Sequence, residues 1–352
     1  MSTLADGCVT QGGRVTVWAR GGGLRGKQLR EASPRLGVRV VPLSGRSWRR
    51  LGERHWMRGV QAACADGCPD FVVASSMDVL PGLVAGLPSY TTVGCFAHGR
   101  DITGKLVPHR ERDRVRALAL PGVRWLCLSE WMASELRSRS VPGFSISVVP
   151  AAVPIAPPSA PRSGRVRNLL TVGRLIPRKG HDVLLSVWPE LLRRFPDLRW
   201  TIAGDGPQRE SLRARIVQAG LADSVRLLGY VSDEEMDHLW AETDLFVMPC
   251  REEAGGDTEG FGLVFLEAAA RGVPCVGGRT AGATEAVVSV GGTLVEDPTS
   301  RASLLGALLP LLSDACALRV RGEDSARRYQ EGRRPEHLAM GVLAAMSQDV
   351  TT

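Results

Sequence analysis

Through the first 150 residues, short runs of apolar and β-branched residues alternate with longer polar stretches. The runs 14–19 (RVTVWA), 38–43 (VRVVPL), 71–75 (FVVAS), 90–96 (YTTVGCF), 123–128 (VRWLCL) and 145–149 (SISVV) have strand length and strand composition. The stretches between them suit crossover helices, which predicts a parallel sheet. Prolines at 150, 154, 157, 158 and 161 then exclude helix and central strand, so 151–165 reads as an extended connector. Beyond it the alternation resumes. Strands are predicted at 168–172, 199–203, 225–228, 245–248 and 274–277, with helices at 181–195, 208–219, 234–242 and 262–271. From residue 302 the pattern is helical, and its last segment, 337–346, is expected to pack back on the first half. The prediction is an α/β chain of two Rossmann-like, doubly wound domains facing across a cleft, at 1–150 and 166–330, with a C-terminal helical segment at 331–352.

Composition narrows this picture. A chain of 352 residues can bury two cores, and 44% apolar with 23% charged residues excludes a disordered chain. No apolar run reaches the roughly 18 residues of a membrane span, and the first residues carry no signal-peptide pattern. The eight cysteines form no C-x-x-C pair and read as small hydrophobes in a reducing, cytoplasmic compartment. Charge is uneven, with +10 over residues 1–160 and −3 over the rest. A positive first half attracts anionic partners within a Debye length. Arg46, Arg49, Arg50, Arg54 and Arg58, or the arginines of 110–116, are candidates for peripheral contact with an anionic membrane or acidic acceptor. A GC-rich genome is the alternative source of the arginine bias. Neither stretch interleaves aromatics, so nucleic acid is not an expected partner.

Three segments of the second half carry candidate chemistry. In 259–267 (EGFGLVFLE), Glu259 and Glu267 stand eight residues apart about a predicted helix start. Gly260 and Gly262 leave the backbone open, so the N–H groups of Phe261, Gly262, Leu263 and Val264 can meet an anion or sugar hydroxyls. Glu267 is placed to accept from a ribose diol and Glu259 to face a sugar; the alternative is a capped acidic surface helix. In 172–181 (VGRLIPRKGH), Gly173, Arg174 and Lys179 follow a strand, where open α/β sheets bind ligands. A guanidinium fork and an ammonium point charge together suit a departing diphosphate; otherwise they are solvated loop charges. In 203–208 (AGDGPQ), Gly204 and Asp205 either admit a ligand close to the backbone or form a tight turn. In the first half, His98 with Gly99 and Asp101 ends a strand, as a structural group or as a sugar or phosphate contact on the acceptor side. The triple glycine at 21–23 lacks dinucleotide-binding spacing. No D-x-D occurs, so no metal site is predicted, and Arg174, Lys179 and a helix N-terminus take the place of a divalent cation.

With these residues in view, the second half resembles the retaining glycosyltransferases of family 4, of GT-B architecture. GRLIPRKG, IAGDGP, GYVSDEEM, EGFGLVFLEAAARGVP and AGATEAV follow in that family's order and spacing between residues 173 and 287. The wording MPCREEAGGDTEGFGLVFLEA is most similar to the GDP-mannose-dependent phosphatidylinositol mannosyltransferases. The resemblance implies transfer of a hexose, mannose favoured, from a nucleotide-diphosphate sugar to a small-molecule, glycan or lipid acceptor. It also implies retention of configuration, and the missing D-x-D adds the expectation of no metal and no cofactor. Arg174 and Lys179 would bind the donor diphosphate and Glu267 the ribose, while Glu259 and the Phe261–Val264 amides hold the sugar. Tyr230 and Val231 would line the base pocket, and His98 matches a first-domain histidine near the anomeric centre.

The chain departs from the family at three places. The usual P-N-G-V-D is PAAVP at 150–154, and the usual G-G-x-P-E is AGATE at 281–285. The third departure is at the beginning, where the G-H-x-V-x-V pattern stands at 12–17 (GGRVTV). The helix before it would begin near Leu4, leaving the first domain without its opening strand. The expectation is a natural start upstream of Met1, with a natively shortened domain as the alternative. Two other functions are open to the sequence: a degenerate protein that binds a nucleotide sugar without turnover, or another GT-B enzyme such as a sugar epimerase or phosphorylase.

Overall fold

The strand-length apolar runs do form parallel strands, in two separate units. The computed structural model describes residues 4, 8, 16–20, 39–43, 53–65, 69, 71–75, 77, 80–89, 91–98, 120, 122–139, 145–154 and 166–347. Contacts divide the chain into Met1–Ala152 with Arg334–Thr352, and Val153–Arg333.

In the first unit, β1 (Thr16–Arg20) pairs in parallel with β2 (Arg39–Leu43) in a two-stranded sheet. A separate four-stranded parallel sheet runs β3 (Phe71–Ala74), β4 (Thr92–Phe96), β5 (Val123–Cys127), β6 (Ser145–Val148). Helices α1 (Glu53–Cys64), α2 (Leu80–Gly86) and α3 (Glu130–Arg139) lie between the strands in sequence. The period of two along a strand decides which side each residue serves. On β5, Val123, Trp125 and Cys127 join Leu80, Leu83, Met132 and Leu136 in one core, while Leu126 enters another on the opposite face. That second core holds Leu338, Ala339, Val342, Ala345 and Met346 of the last helix, α11 (Pro335–Ser347). Buried Arg124 donates to the Ala345 carbonyl at 2.7 Å, a cation set against a helix C-terminus.

Leu4 and Cys8 are both helical, and buried Leu4 packs into the α11 core. Among the described residues β3 has a strand neighbour on one side only, and β1 and β2 pair only with each other.

The second unit carries one unbroken six-stranded parallel sheet. Its elements alternate: β7 (Asn168–Val172), α4 (His181–Arg194), β8 (Arg199–Ala203), α5 (Arg209–Gln218), β9 (Val225–Gly229), α6 (Asp233–Glu242), β10 (Leu245–Met248), α7 (Leu263–Ala270), β11 (Cys275–Gly278), α8 (Ala281–Ser289) and β12 (Thr293–Val295). Helices α9 (Arg301–Ser313) and α10 (Ala315–Gly332) follow. The strand order is β12-β11-β10-β7-β8-β9. From β7 the chain steps outward through β8 and β9, then returns to the other side of β7. Strands covered on both faces are nearly all apolar, as LFVM of β10 shows, with every residue buried. Two polar links lock the core around Trp188 and Trp200. The Trp188 indole donates to Ser224 Oγ at 3.0 Å, and that of Trp200 to Thr171 Oγ1 at 2.9 Å. Within 172–181 the residues Pro177–Lys179 form a short 3-10 turn where a loop was expected. The capping box of α6, between Ser232 and Glu235, is the one its S-D-E-E sequence encodes.

Candidate functional site

A parallel sheet opens where its winding reverses, because the loops leaving two adjacent strands run to opposite sides. In the second unit that point lies between β7 and β10. The loops after these strands carry Lys179 and Glu259, whose Nζ and Oε2 stand 2.6 Å apart. The loops are brought this close by glycines where no side chain fits. At Gly180, with φ +72°, a Cβ would lie 2.2 Å from the Pro249 carbonyl oxygen. At Gly204, a Cβ would lie 1.9 Å from the Gly173 carbonyl oxygen. Leu175 N donates to Asp205 O and Gln208 N to Leu175 O, each at 3.0 Å, so the loops after β7 and β8 form one surface.

Gly173, Arg174, Lys179, Gly204, Asp205, Tyr230, Val231 and Glu259 thus all follow the carboxyl ends of strands in one sheet. Lys179 is buried, whereas Arg174 is exposed and has no side-chain partner among the described residues. The Asp205 carboxylate is held by Gly206 N at 2.7 Å and by Arg209 at 3.5 Å. Tyr230 is 85% exposed, an aromatic face open to stacking.

Helix α7 supplies the other carboxylate. Its sequence, LVFLEAAA, is apolar on most sides, so the helix sinks against the sheet, with Phe265 edge-on to Phe246 at 5.6 Å. Gly262 caps it, and Leu263 and Val264 open its first turn, with Phe261 buried just ahead. Glu267 is its one charged residue, partly buried, and its carboxylate accepts no hydrogen bond from the described residues. Burial pushes the Glu267 carboxyl above the usual range, and Arg271 pulls it partly back. A desolvated carboxylate without a donor is costly unless a ligand supplies one.

Several residues around this point were not singled out by sequence. Arg178 pairs with Asp257 at 3.1 Å, and Arg251 donates to Asp182 at 2.8 Å and to Glu253 at 2.6 Å. Thr258 and Thr280 share a buried hydroxyl contact of 3.1 Å that ties the Glu259 loop to the start of α8. Next to it Ala281 has φ +40°, a left-handed value that suits the glycine usual at this place in the family. The Arg333 guanidinium lies 6.0 Å from the ring centre of Phe261. Only adjacency to Lys179 could have flagged Arg178, because its partner lies 79 residues away. Cys250 is also next to the site, where burial pushes its thiol up to about 12 and disfavours the thiolate. His181, fully buried, has no hydrogen-bond partner at either ring nitrogen among the described residues; burial, then Lys179, push it down to about 4.

His98 belongs to the first unit, where it is exposed and its Nε2 donates to the Ser75 carbonyl at 2.7 Å. Gly99 and Asp101 lie outside the described residues, as do Arg46, Arg49, Arg50 and the arginines of 110–116. Among the described residues no three His, Cys, Asp or Glu side chains gather as a metal would need. No single described helix is long and apolar enough to cross a membrane.

The GDP-mannose-dependent alpha-(1-6)-phosphatidylinositol monomannoside mannosyltransferase of Mycolicibacterium smegmatis is 40% identical over 158 residues, 44% of this chain and 41% of that protein. The match therefore spans about two fifths of that relative's length. Sucrose-phosphate synthase from Thermosynechococcus elongatus superposes with a TM-score of 0.75 at 19% identity, covering 97% of this chain and 90% of that one. Anabaena HepE in complex with UDP and glucose gives 0.74 at 19% identity, covering 99% and 95%. These likenesses establish the GT-B fold, two parallel-sheet α/β units. The profile described as "Glycosyl transferases group 1" matches residues 157–333, which contain every site residue of the second unit, and the chain belongs to that family.

Proposed function

We propose that the chain is a hexosyltransferase that moves a sugar, mannose favoured, from a nucleotide-diphosphate donor to a glycan, lipid or small-molecule acceptor with retention of configuration. The observation that carries this reading is the meeting of Lys179 and Glu259 at the switch point of the second sheet, at 2.6 Å. Arg174 and Lys179 receive the diphosphate and stabilise the charge that grows on it as the glycosidic bond breaks. The Glu267 carboxylate accepts from the ribose hydroxyls, which supply the donors it lacks. Glu259 and the amides of Phe261, Gly262, Leu263 and Val264 hold the sugar, and Tyr230 and Val231 flank the base. Two cations beside a helix N-terminus balance the diphosphate, so the reaction is proposed to need no metal and no cofactor. His98, with Gly99 and Asp101, is proposed to serve the acceptor side. The likeness to a phosphatidylinositol mannosyltransferase favours a lipid-linked acceptor reached from the cytoplasmic face of a membrane.

Calorimetric titration of GDP and GDP-mannose tests the donor site. Binding by the wild type and its loss in Lys179→Ala or Glu267→Ala, with the thermal midpoint retained, is the expected result. Unchanged affinity in those variants would refute the assignment, and loss of activity in EDTA would refute metal independence. A second reading is favoured by the first unit, where the described strands fall in two separate sheets. In it the chain binds the donor without transferring it, and release of free mannose or GDP over time separates the two.

A further inference from the structure

The Lys179–Glu259 pair sits inside a reciprocal exchange of charges between two loops. The β7 side contributes Arg178 and Asp182, and the β10 side contributes Asp257 and Arg251. Arg178 Nη1 reaches Asp257 Oδ1 and Oδ2 at 3.2 and 3.1 Å, and Arg251 Nη1 reaches Asp182 Oδ1 and Oδ2 at 2.8 and 3.0 Å. A backbone bond from Arg251 N to Arg178 O, 2.9 Å, closes the exchange. Within this clasp one donor is unused. Arg178 Nε is buried with no hydrogen-bond partner among the described residues, and Glu259 Oε2 lies 3.8 Å from it.

Glu259 is thus faced by two cations and hydrogen-bonded by one. If Lys179 turns to a diphosphate, the Glu259 side chain, only 14% exposed, loses its ammonium partner. A buried carboxylate stripped of its cation is strongly unfavourable. We propose that Arg178 is a positioning residue that takes over Glu259 when Lys179 engages the donor diphosphate, an inference that rests on the donor-site reading above. Closing the Nε contact to hydrogen-bond length needs a shift of about 1 Å. The guanidinium fork keeps Asp257 on one edge while it turns another to Glu259, which a lysine cannot do. Glu259 then holds its place facing the sugar, and Lys179 is released at little cost.

A double-mutant cycle on the full chain tests this, with GDP and UDP as calorimetric probes. Arg178→Gln is expected to weaken the bound diphosphate about tenfold when Glu259 is present. In a Glu259→Gln background, where the neutral amide needs no cation, Arg178→Gln is expected to change nothing. An equal loss in both backgrounds would overturn the proposal, because Arg178 would then be touching phosphate or merely bracing the loop. Arg178→Lys, which keeps a cation but not the fork, serves the same cycle if Arg178→Gln does not fold. Wild-type protein that binds neither GDP nor UDP, or Lys179→Ala that binds as tightly as wild type, overturns the donor-site reading itself and this inference with it.

Discussion

The two units are built from the same kind of strand, yet among the described residues only the second shows one continuous sheet. In the second unit β7 has neighbours on both sides, and the chain reverses across it. In the first unit, among the described residues, β3 ends its sheet and β1 with β2 stands apart. Strand composition does not separate them, since β5 is as thoroughly buried as β10. In the second unit the order turns at the central strand β7. That strand creates the crevice holding Lys179 and Glu259, so the site follows from topology before it follows from side-chain chemistry.

The largest effect expected from this difference is in hydrogen exchange. Amides of β7 and β10 should exchange only through global opening of their unit. Amides of β3, which has a strand neighbour on one side only among the described residues, should exchange orders of magnitude faster than those of β4. Equal protection of β3 and β4 would show that a strand does cover the other side of β3. Next in size is Gly180→Ala, which forces a side chain into the Pro249 carbonyl at a left-handed φ. A loss of about 3 kcal/mol or more is expected in denaturant melts, confined to the second unit. A milder loss would mean that the β7 and β10 loops part easily.

His181 gives the second unit an acid sensitivity of its own. In the unfolded chain the imidazole takes up a proton near 6.5, whereas in the fold it does so at about 4. Between those values the unfolded state binds more protons, so stability is complete above pH 6.5 and falls as pH drops towards 4. The limiting slope is about 1.4 kcal/mol per pH unit. His181→Leu should flatten it in melts from pH 7 to pH 4, and an unchanged slope would move the effect elsewhere. The smallest effect expected is from Glu267→Gln. The folded carboxyl titrates above its ordinary range, so ionising it opposes folding at neutral pH. The amide should raise the thermal midpoint at pH 7, each 1 kcal/mol being worth roughly 2–4 °C. The gain should vanish below the usual carboxylate range, while nucleotide binding is lost at pH 7.

Much of this was legible in the sequence because short parallel strands are apolar on both faces and their boundaries carry glycine or proline. The predicted strands at 168–172 and 199–203 coincide with β7 and β8, while β1 begins two residues and ends one residue later than the predicted 14–19. The predicted strand at 274–277 is displaced by one residue from β11. Helix α8 and strand β12 were not predicted, since AGATEAVVS has few polar residues to set a period and β12 has only three residues. Of the site, Lys179 and Glu259 were visible as types in loops, but their contact was not.

The sequence by itself determined the alternation of strand and helix, the loops that carry Arg174, Lys179, Glu259 and Glu267, and the charge of each half. These are local properties, set by periodicity and by which residues a turn tolerates. Only the tertiary structure decided that Lys179 closes on Glu259, that Arg178 and Arg251 clasp the two loops, and that Glu267 sits largely desolvated without a donor. Those pairings join residues 69 to 80 positions apart, brought together by the return of β10 to the side of β7. Strand order is fixed by how apolar faces are shared across the whole unit, which no local window of the chain contains.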